Sequence, residues 1–160
     1  MADYPKPVAN EDQVRDSNQQ GARRMLAAYS WAQTEMVKEY ISPDIINRSA
    51  HPAGTEDEQE EMRTEHDIFP DIHFREELVI TEGDMVFLGW VSSASHTGEL
   101  YGKKPTGIKI ELHGGEILRF EDGMIVEHWD HYTKPRLEAY VLLGVMDEDS
   151  LKKMKAEGLS

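Results

Sequence analysis

The chain contains no cysteine, has few positive charges and lacks any long apolar run, and each shortage excludes a class of function. Without cysteine there is no disulfide, no thiolate nucleophile, and no cysteine-ligated zinc or iron–sulfur cluster. Any catalysis therefore depends on histidine, carboxylate, tyrosine, serine or lysine side chains, or on a bound cofactor.

The 17 lysines and arginines are outnumbered by 31 aspartates and glutamates, which gives a formal net charge of −14. Such a surface repels phosphate groups, so we expect neither nucleic acid nor an anionic membrane as a partner. No stretch approaches the roughly 20 apolar residues that cross a bilayer. Residues 1–20 also lack the basic and apolar regions of a signal peptide, and we therefore expect a cytoplasmic protein.

A length of 160 residues suits one domain with its own apolar core. We predict a flexible arm over residues 1–12, the domain over 13–146, and a C-terminal helix or tail over 147–160. Apolar residues at three- and four-residue spacings predict a first helix from about Gln13 to Tyr40. Pro43 ends it, because proline disfavours a helical residue before it.

A second helix is predicted from Thr55 to the Phe69-Pro70-Asp71 stop. Thr55 and Glu58 match the capping-box pattern, and the acidic run over residues 56–61 suits the positive end of the helix dipole. We interpret this run as a solvated helix start, with a functional acidic patch as the alternative.

Strands are predicted over residues 72–81, 85–96, 108–120 and 124–132, with a loop over 97–107. A short helix from Pro135 to Leu143 follows. Helices first and an antiparallel meander after them indicate an α+β fold.

One carboxylate lies on the apolar face of the strand over residues 108–120. The even positions of this strand carry mostly apolar residues, and Glu116 is among them, between Gly114 and Leu118. A carboxylate on a buried face must be paired, protonated or functional.

The turn after this strand allows two pairing registers. A two-residue Asp122-Gly123 turn pairs Phe120 with Ile125, whereas a three-residue turn pairs Phe120 with Met124. We prefer the second register, because it keeps apolar residues opposite one another.

In the preferred register Glu116 lies opposite His128, and Gly114 leaves space beside Asp130. The three polar side chains then converge on one face as an acid–base site. A purely structural Glu116–His128 pair is the alternative.

Several motifs in this order are typical of one family. The run from His96 to Asp130 contains His-Thr-Gly, Gly-x-x-Pro-Thr-Gly and Arg-Phe-x-Asp-Gly-x-Ile-x-Glu-His-Trp. It resembles the SnoaL-like polyketide cyclases, as do YISPDIIN (residues 40–47), IFPDI (68–72) and the Leu142-Leu143-Gly144 ending. The resemblance covers roughly residues 20–144.

The resemblance implies a conical α+β barrel, in which a strongly curved antiparallel sheet is wrapped around helices. Nuclear transport factor 2 and ketosteroid isomerase have this cystatin-like architecture. Homodimers or higher homo-oligomers are common among such proteins. The cyclases need neither metal nor cofactor, and they close a ring of an aromatic polyketide ester, a hydrophobic carbonyl compound, by intramolecular aldol condensation.

The resemblance also assigns roles to residues. Asp130 takes the place of the acid–base aspartate, with His128 two residues before it, and Asn47 takes that of the pocket asparagine. Glu116 stands where the family has a histidine. This departure matters, because a glutamate can donate a hydrogen bond to substrate only when burial raises its pKa enough to keep it protonated.

Three further residues are candidate substrate contacts, each with a structural alternative. His96 is placed at the pocket mouth or on an exposed strand end, and Trp90 in the pocket or in the core. Tyr29 on the first helix faces either the ligand or the core. The seven histidines show no three-ligand spacing, so we expect no metal.

The fold alone does not decide the function. A cyclase acting by aldol condensation is our first hypothesis. An isomerase, dehydratase or hydrolase on the same fold is the second, and a non-catalytic small-molecule binding module is the third.

Overall fold

The chain folds into one sheet, and its helices lie before the first strand, between the first and second strands, and after the last strand. A computed structural model describes residues 11–48, 54–132 and 136–156. The α-helices are α1 (Glu11–Ser30), α2 (Val37–Tyr40), α3 (Thr55–Ile68), α4 (Arg136–Leu142) and α5 (Glu148–Ala156). The strands are β1 (Ile41–Asn47), β2 (His73–Glu82), β3 (Met85–Ser95), β4 (Lys109–Glu121) and β5 (Met124–Tyr132).

The five strands form one mixed sheet in the order β1-β5-β4-β3-β2. Strands β2 to β5 are the predicted antiparallel meander, with bounds within one residue of those expected. Strand β1 pairs with β5 in parallel, so the sheet is not purely antiparallel as predicted. The α+β class is confirmed.

The helix predicted from Gln13 to Tyr40 is interrupted after Ser30. Helix α1 ends at Ser30, the chain turns at Ala32 with a φ of 50°, and α2 spans only four residues before β1 begins. Helix α2 ends at Tyr40, where the helix was predicted to end, and Pro43 lies within β1. A proline is tolerated there because β1 is an edge strand, and its register with β5 shifts between Ile41 and Ile46.

Helix α1 covers part of the inner sheet face and forms the core with it. Ala22, Met25 and Leu26 of α1 are buried, as are Leu88 of β3 and Leu118 of β4. Burying a side chain the size of leucine contributes about 1.5–3 kcal/mol. The packing confirms that the even-numbered face of β4 is the buried one.

Several predictions concern residues at the edges of the described ranges. Helix α1 begins at Glu11, two residues before the predicted start, while residues 1–10 of the predicted arm lie outside the described residues. Pro135, predicted to begin the next helix, also lies outside them. Within the described residues, no helix is both long and apolar enough to cross a membrane.

The loop between β3 and β4 docks on the C-terminal end of α3. The backbone N–H groups of Thr97 and Gly98 both donate to the carbonyl oxygen of Ile68, over 3.1 and 2.8 Å. A Cβ atom at Gly98 would lie 1.9 Å from the carbonyl oxygen of Asp67. The loop therefore requires glycine at this position.

Replacing Gly98 with alanine is expected to lower the free energy of unfolding by about 1–3 kcal/mol or more, because backbone atoms must separate. Urea denaturation would measure the change. Glu99→Ala is the control, since Glu99 is exposed in the same loop. Equal midpoints for the two variants would contradict the docked position of the loop.

Candidate active site

The β4–β5 hairpin follows neither predicted register throughout. Asp122 and Gly123 form a two-residue turn with positive φ angles of 49° and 81°, which is the pattern of a type I′ turn. Phe120 accordingly pairs with Ile125. The preferred three-residue turn is therefore wrong. Beyond this pair the register shifts by one residue, so the two-residue register does not continue either.

This shift is a β-bulge, and it decides which side chains of β5 face inward. Ile125 and His128 are both buried, although three residues apart they would point to opposite faces of a regular strand. Past the bulge Leu118 pairs with His128 and Glu116 with Asp130. The even-numbered residues of both strands therefore share the inner face, and the expected convergence is present in a different register.

Gly114 serves a different neighbour from the one expected. It pairs with Tyr132 rather than Asp130, and a Cβ atom at Gly114 would lie 2.5 Å from Cζ2 of Trp90. The missing side chain thus makes room for the indole ring.

One ring nitrogen of His128 contacts two carboxyl groups. Its Nε2 atom is 2.5 Å from Oε2 of Glu116 and 2.9 Å from Oδ1 of Asp130. The three side chains are only 10%, 11% and 16% exposed, respectively. Interactions between charges at such a buried position are stronger than in water.

Trp90 holds the second oxygen of Glu116. The indole Nε1–H donates to Oε1 of Glu116 over 2.8 Å, and the buried ring packs edge-on against Phe74. The structure thus gives Trp90 both a core position and a place at the polar cluster.

Burial raises the pKa of Glu116 to about 8, and hydrogen bonding to Asp130 acts in the same direction. The contact with His128 opposes the shift without reversing it. Glu116 is therefore mostly protonated at neutral pH, as its role as a hydrogen-bond donor would require.

Burial alone would lower the pKa of His128. Hydrogen bonds to Asp130 and Glu116, together with the nearby carboxyl group of Glu58, outweigh it and raise the pKa to about 12. Since a neutral Glu116 attracts an imidazolium only weakly, the charge on His128 depends first on Asp130. The raised pKa values favour an imidazolium at His128 and a carboxylic acid at Glu116 at neutral pH.

Asn47 and Tyr29 lie beside this cluster. Asn47 ends β1, where it pairs with His128 of β5, and Tyr29 reaches in from α1. Both line a cavity of about 60 Å³, together with Trp90, Glu116, His128 and Asp130. Of the seven predicted site residues, six are thus brought together.

His96 is the exception. It is wholly buried, so it is not an exposed strand end, and it lies outside the described lining of this cavity. Its Nδ1 atom contacts the hydroxyl of Thr106 at 3.0 Å, and its backbone pairs with Gly107 and Ile108. These bonds of His96 connect the two ends of the loop that docks on α3.

Glu58 belongs to the site, although the sequence analysis placed it on a solvated helix start. Helix α3 has Gly54 as its N-cap, with no side-chain capping bond, and Glu58 is only 3% exposed. Its carboxylate accepts a short hydrogen bond from the Tyr29 hydroxyl and lies 3.9 Å from Nδ1 of His128. The sequence offers one indication that Glu58 is buried. It lies four residues before Met62, and residues at this spacing share one face of a helix.

A larger cavity of about 390 Å³ lies further along the inner face of β4. Ile110 and Leu112 line it, whereas Glu116 of the same strand lines the smaller cavity. Glu61 and Glu65 of α3 border both. The larger cavity is of ligand size, and the smaller one admits only a few atoms.

Glu116, His128 and Asp130 also have the donor types of a metal site, and one ligand atom from each lies within 4.8 Å of the others. The imidazole Nε2 atom is, however, already engaged by both carboxyl groups. A cation would have to displace these contacts.

The chain thus has an α+β fold with a cluster of titratable side chains on the inner face of its sheet. Comparison with known proteins identifies its family. The sequence model of the SnoaL-like polyketide cyclase family matches residues 19–139, and the chain belongs to this family. A search of curated protein sequences gives no match.

Solved structures with the same fold come from several bacteria. AclR from Streptomyces galilaeus, a candidate hydroxylase, is 32% identical with a TM-score of 0.71, over 82% of this chain and 98% of AclR. TsrD from Streptomyces laurentii is 23% identical with a TM-score of 0.73, over 82% and 98%. IdmH from Streptomyces antibioticus, a candidate polyketide cyclase, is 24% identical with a TM-score of 0.66, over 72% and 91%.

Proposed function

We propose that this protein is a cofactor-independent acid–base enzyme acting on a hydrophobic carbonyl compound, with Asp130 as the base. The observation that carries the proposal is the buried Glu116–His128–Asp130 cluster, which lines the smaller cavity, while Glu61 and Glu65 border both this cavity and the larger one. Such a cluster places a carboxylate, a carboxylic acid and a cation within hydrogen-bonding distance of one another.

In this proposal Asp130 removes a proton from a carbon flanked by carbonyl groups. The imidazolium of His128, 2.9 Å away, keeps Asp130 ionised before the transfer. Positioned acid–base groups typically contribute about 10²–10⁴-fold to rate.

Glu116 and Asn47 would stabilise the enolate that forms. The proton of Glu116, which is hydrogen-bonded to Asp130 before the transfer, would turn to the substrate oxygen as Asp130 becomes protonated and negative charge develops on that oxygen. This proton lets a glutamate serve where the related cyclases have a histidine. The amide of Asn47 could orient the second carbonyl from the opposite strand of the cavity wall.

Ring closure would follow from the arrangement of the two cavities. The body of the substrate would occupy the larger cavity beside Ile110 and Leu112, with the acidic carbon in the smaller one. Holding the enolate near a second carbonyl replaces an encounter in solution with an intramolecular step. The enolate carbon would attack this carbonyl, and Asp130 would return its proton to the alkoxide that forms, which completes an intramolecular aldol condensation. A proton-transfer isomerase could use the same residues.

The similarity to AclR favours hydroxylation as a second candidate. A hydroxylase would instead transfer one oxygen atom of dioxygen to the substrate carbon, and an added two-electron reductant would convert the other oxygen atom to water. Oxygen consumption during turnover would distinguish the two reactions.

We also propose that the enzyme is a cytoplasmic homodimer or higher homo-oligomer. Leu78 and Ile80 of β2 are 50% and 54% exposed, and a second subunit could cover them. Sedimentation velocity would determine the oligomeric state.

The proposed function is tested by hydrogen exchange in D₂O with β-keto esters, aromatic polyketide mimics and ketosteroids. We expect mass spectrometry to detect enzyme-dependent deuterium uptake at the acidic carbon of at least one class. Quenching of tryptophan fluorescence would report binding separately. Compounds that bind without exchanging would contradict the enzyme and support a non-catalytic binding module.

A further inference from the structure

Glu58 is a buried carboxylate that the proposed acid–base steps do not use. It lies on α3, and its two oxygens point to different elements: Oε2 accepts from Tyr29 of α1, and Oε1 faces His128 of β5 at 3.9 Å. With 3% of its surface exposed, it is less accessible than Glu116 or Asp130.

The imidazole of His128 therefore has carboxyl oxygens on both sides. Nε2 faces Glu116 and Asp130, while Nδ1 faces Glu58. A neutral imidazole carries a lone pair on one nitrogen, and this lone pair would face the carboxyl group of Glu58 if it were on Nδ1 and that of Asp130 if it were on Nε2. Only the doubly protonated ring presents N–H groups to both sides.

We propose that Glu58, oriented by the Tyr29 hydroxyl, is a positioning residue that holds His128 as an imidazolium with its Nε2–H directed at Asp130. The distance of 3.9 Å is too long for a direct hydrogen bond, so Glu58 acts through its charge and by limiting rotation of the ring. The inference rests on the proposed function only for its effect on turnover.

This assignment gives Tyr29 a new role. Its hydroxyl donates to Glu58 and is therefore not available to contact the substrate. In this role Tyr29 orients Glu58, which in turn orients His128. Burial and the charge of Glu58 raise the pKa of Tyr29 well above its ordinary value, which keeps the hydroxyl available as a donor.

The other titratable groups near Glu58 and His128 lie on two helices and two strands. They are Tyr40 on α2, Glu61 and Glu65 on α3, Glu116 on β4 and Asp130 on β5. Among the described residues that line the smaller cavity there is no lysine or arginine. His128 is therefore the cation around which these carboxyl groups are arranged.

The inference is tested by ¹⁵N NMR of histidine-labelled protein, which reports the protonation of each ring nitrogen. In the wild type we expect both nitrogens of His128 to remain protonated as pH rises through 8. Glu58→Gln keeps the shape and an acceptor for Tyr29 but removes the charge. We expect it to lower the titration midpoint of His128 by about one pH unit or more, a tenfold change in the proton-binding equilibrium.

Two further variants keep the test decisive. Tyr29→Phe should mobilise the His128 ring without removing the charge of Glu58, and Glu58→Asp should restore part of the midpoint. Glu56→Gln, an exposed change in the first turn of α3, is the matched control. If Glu58→Gln does not fold, Tyr29→Phe and Glu58→Asp decide the inference by the same spectra.

A His128 spectrum in Glu58→Gln that matches the control would overturn the positioning role, whatever the exchange assay shows. With an exchanging compound, Glu58→Gln should lower kcat about tenfold with little change in KM. The two proposals can fail separately: normal spectral shifts without any deuterium exchange would refute the proposed enzyme and leave the role of Glu58 intact.

Discussion

Asp130→Asn is expected to lower the rate of carbon-acid exchange by roughly 10²–10⁴-fold, because the amide cannot accept the proton. The amide keeps the size of the side chain and can still contact Nε2 of His128, which lies 2.9 Å from Oδ1 in the wild type. Binding of the exchanging compound should therefore change little. Exchange would be measured by mass spectrometry in D₂O with wild type and variant at equal saturation.

The control for this substitution is Asp84→Asn in the β2–β3 turn. Asp84 is exposed, with a weak contact to Arg119 at 3.8 Å, and it lies outside the described lining of both cavities. It should exchange at the wild-type rate. Equal exchange by Asp130→Asn and Asp84→Asn would remove Asp130 from the chemistry and turn attention to Glu116.

The elements that the sequence predicted well are those whose pattern is local. Strands β2 to β5 alternate in polarity or are bounded by turn residues, and α3 is bounded by Gly54 and Pro70. Strand β1 could not be predicted in this way. Its apolar residues continue the spacing of the preceding helix, and it becomes a strand because β5 offers an edge for parallel pairing.

The site shows the same division. The alternation of side chains along β4 predicts which of its polar residues face inward. The bulge between Ile125 and Glu127 of β5 depends instead on the packing of Ile125 against the core. Glu58 was missed because an acidic helix start is usually solvated, and only the tertiary position of α3 against α1 and β5 buries it. His96 was misplaced because its loop folds back and covers it.

Glu116 makes the stability of the protein depend on pH, which Glu116→Gln should largely remove. The pKa of Glu116 is raised from 4.5 to about 8 in the folded protein. Between these values the unfolded chain has released the proton and the folded one retains it. The free energy of unfolding therefore falls as pH rises through this range, by an amount on the order of a few kcal/mol.

Among the residues that the structure describes, the other groups with shifted pKa values do not mask this trend. The raised pKa of His128 adds a loss in the same direction above its ordinary value of 6.5. The lowered pKa values of Asp71, Glu76 and Glu127 stabilise the fold only as pH rises through the acid range, so their contribution is complete near pH 5. The interval from about pH 5 to about pH 6.5 thus reports mainly on Glu116.

We therefore expect urea denaturation to show wild-type stability falling between about pH 5 and about pH 6.5, and a flatter dependence for Glu116→Gln. The glutamine keeps an oxygen to accept the Trp90 Nε1–H bond, which is 2.8 Å long in the wild type. Glu99→Gln, an exposed change in the β3–β4 loop, should follow the wild type. A Glu116→Gln curve parallel to the wild type would mean that Glu116 is ionised in the folded protein. Glu116 could not then donate a hydrogen bond to the enolate, and the donor role would fall to Asn47.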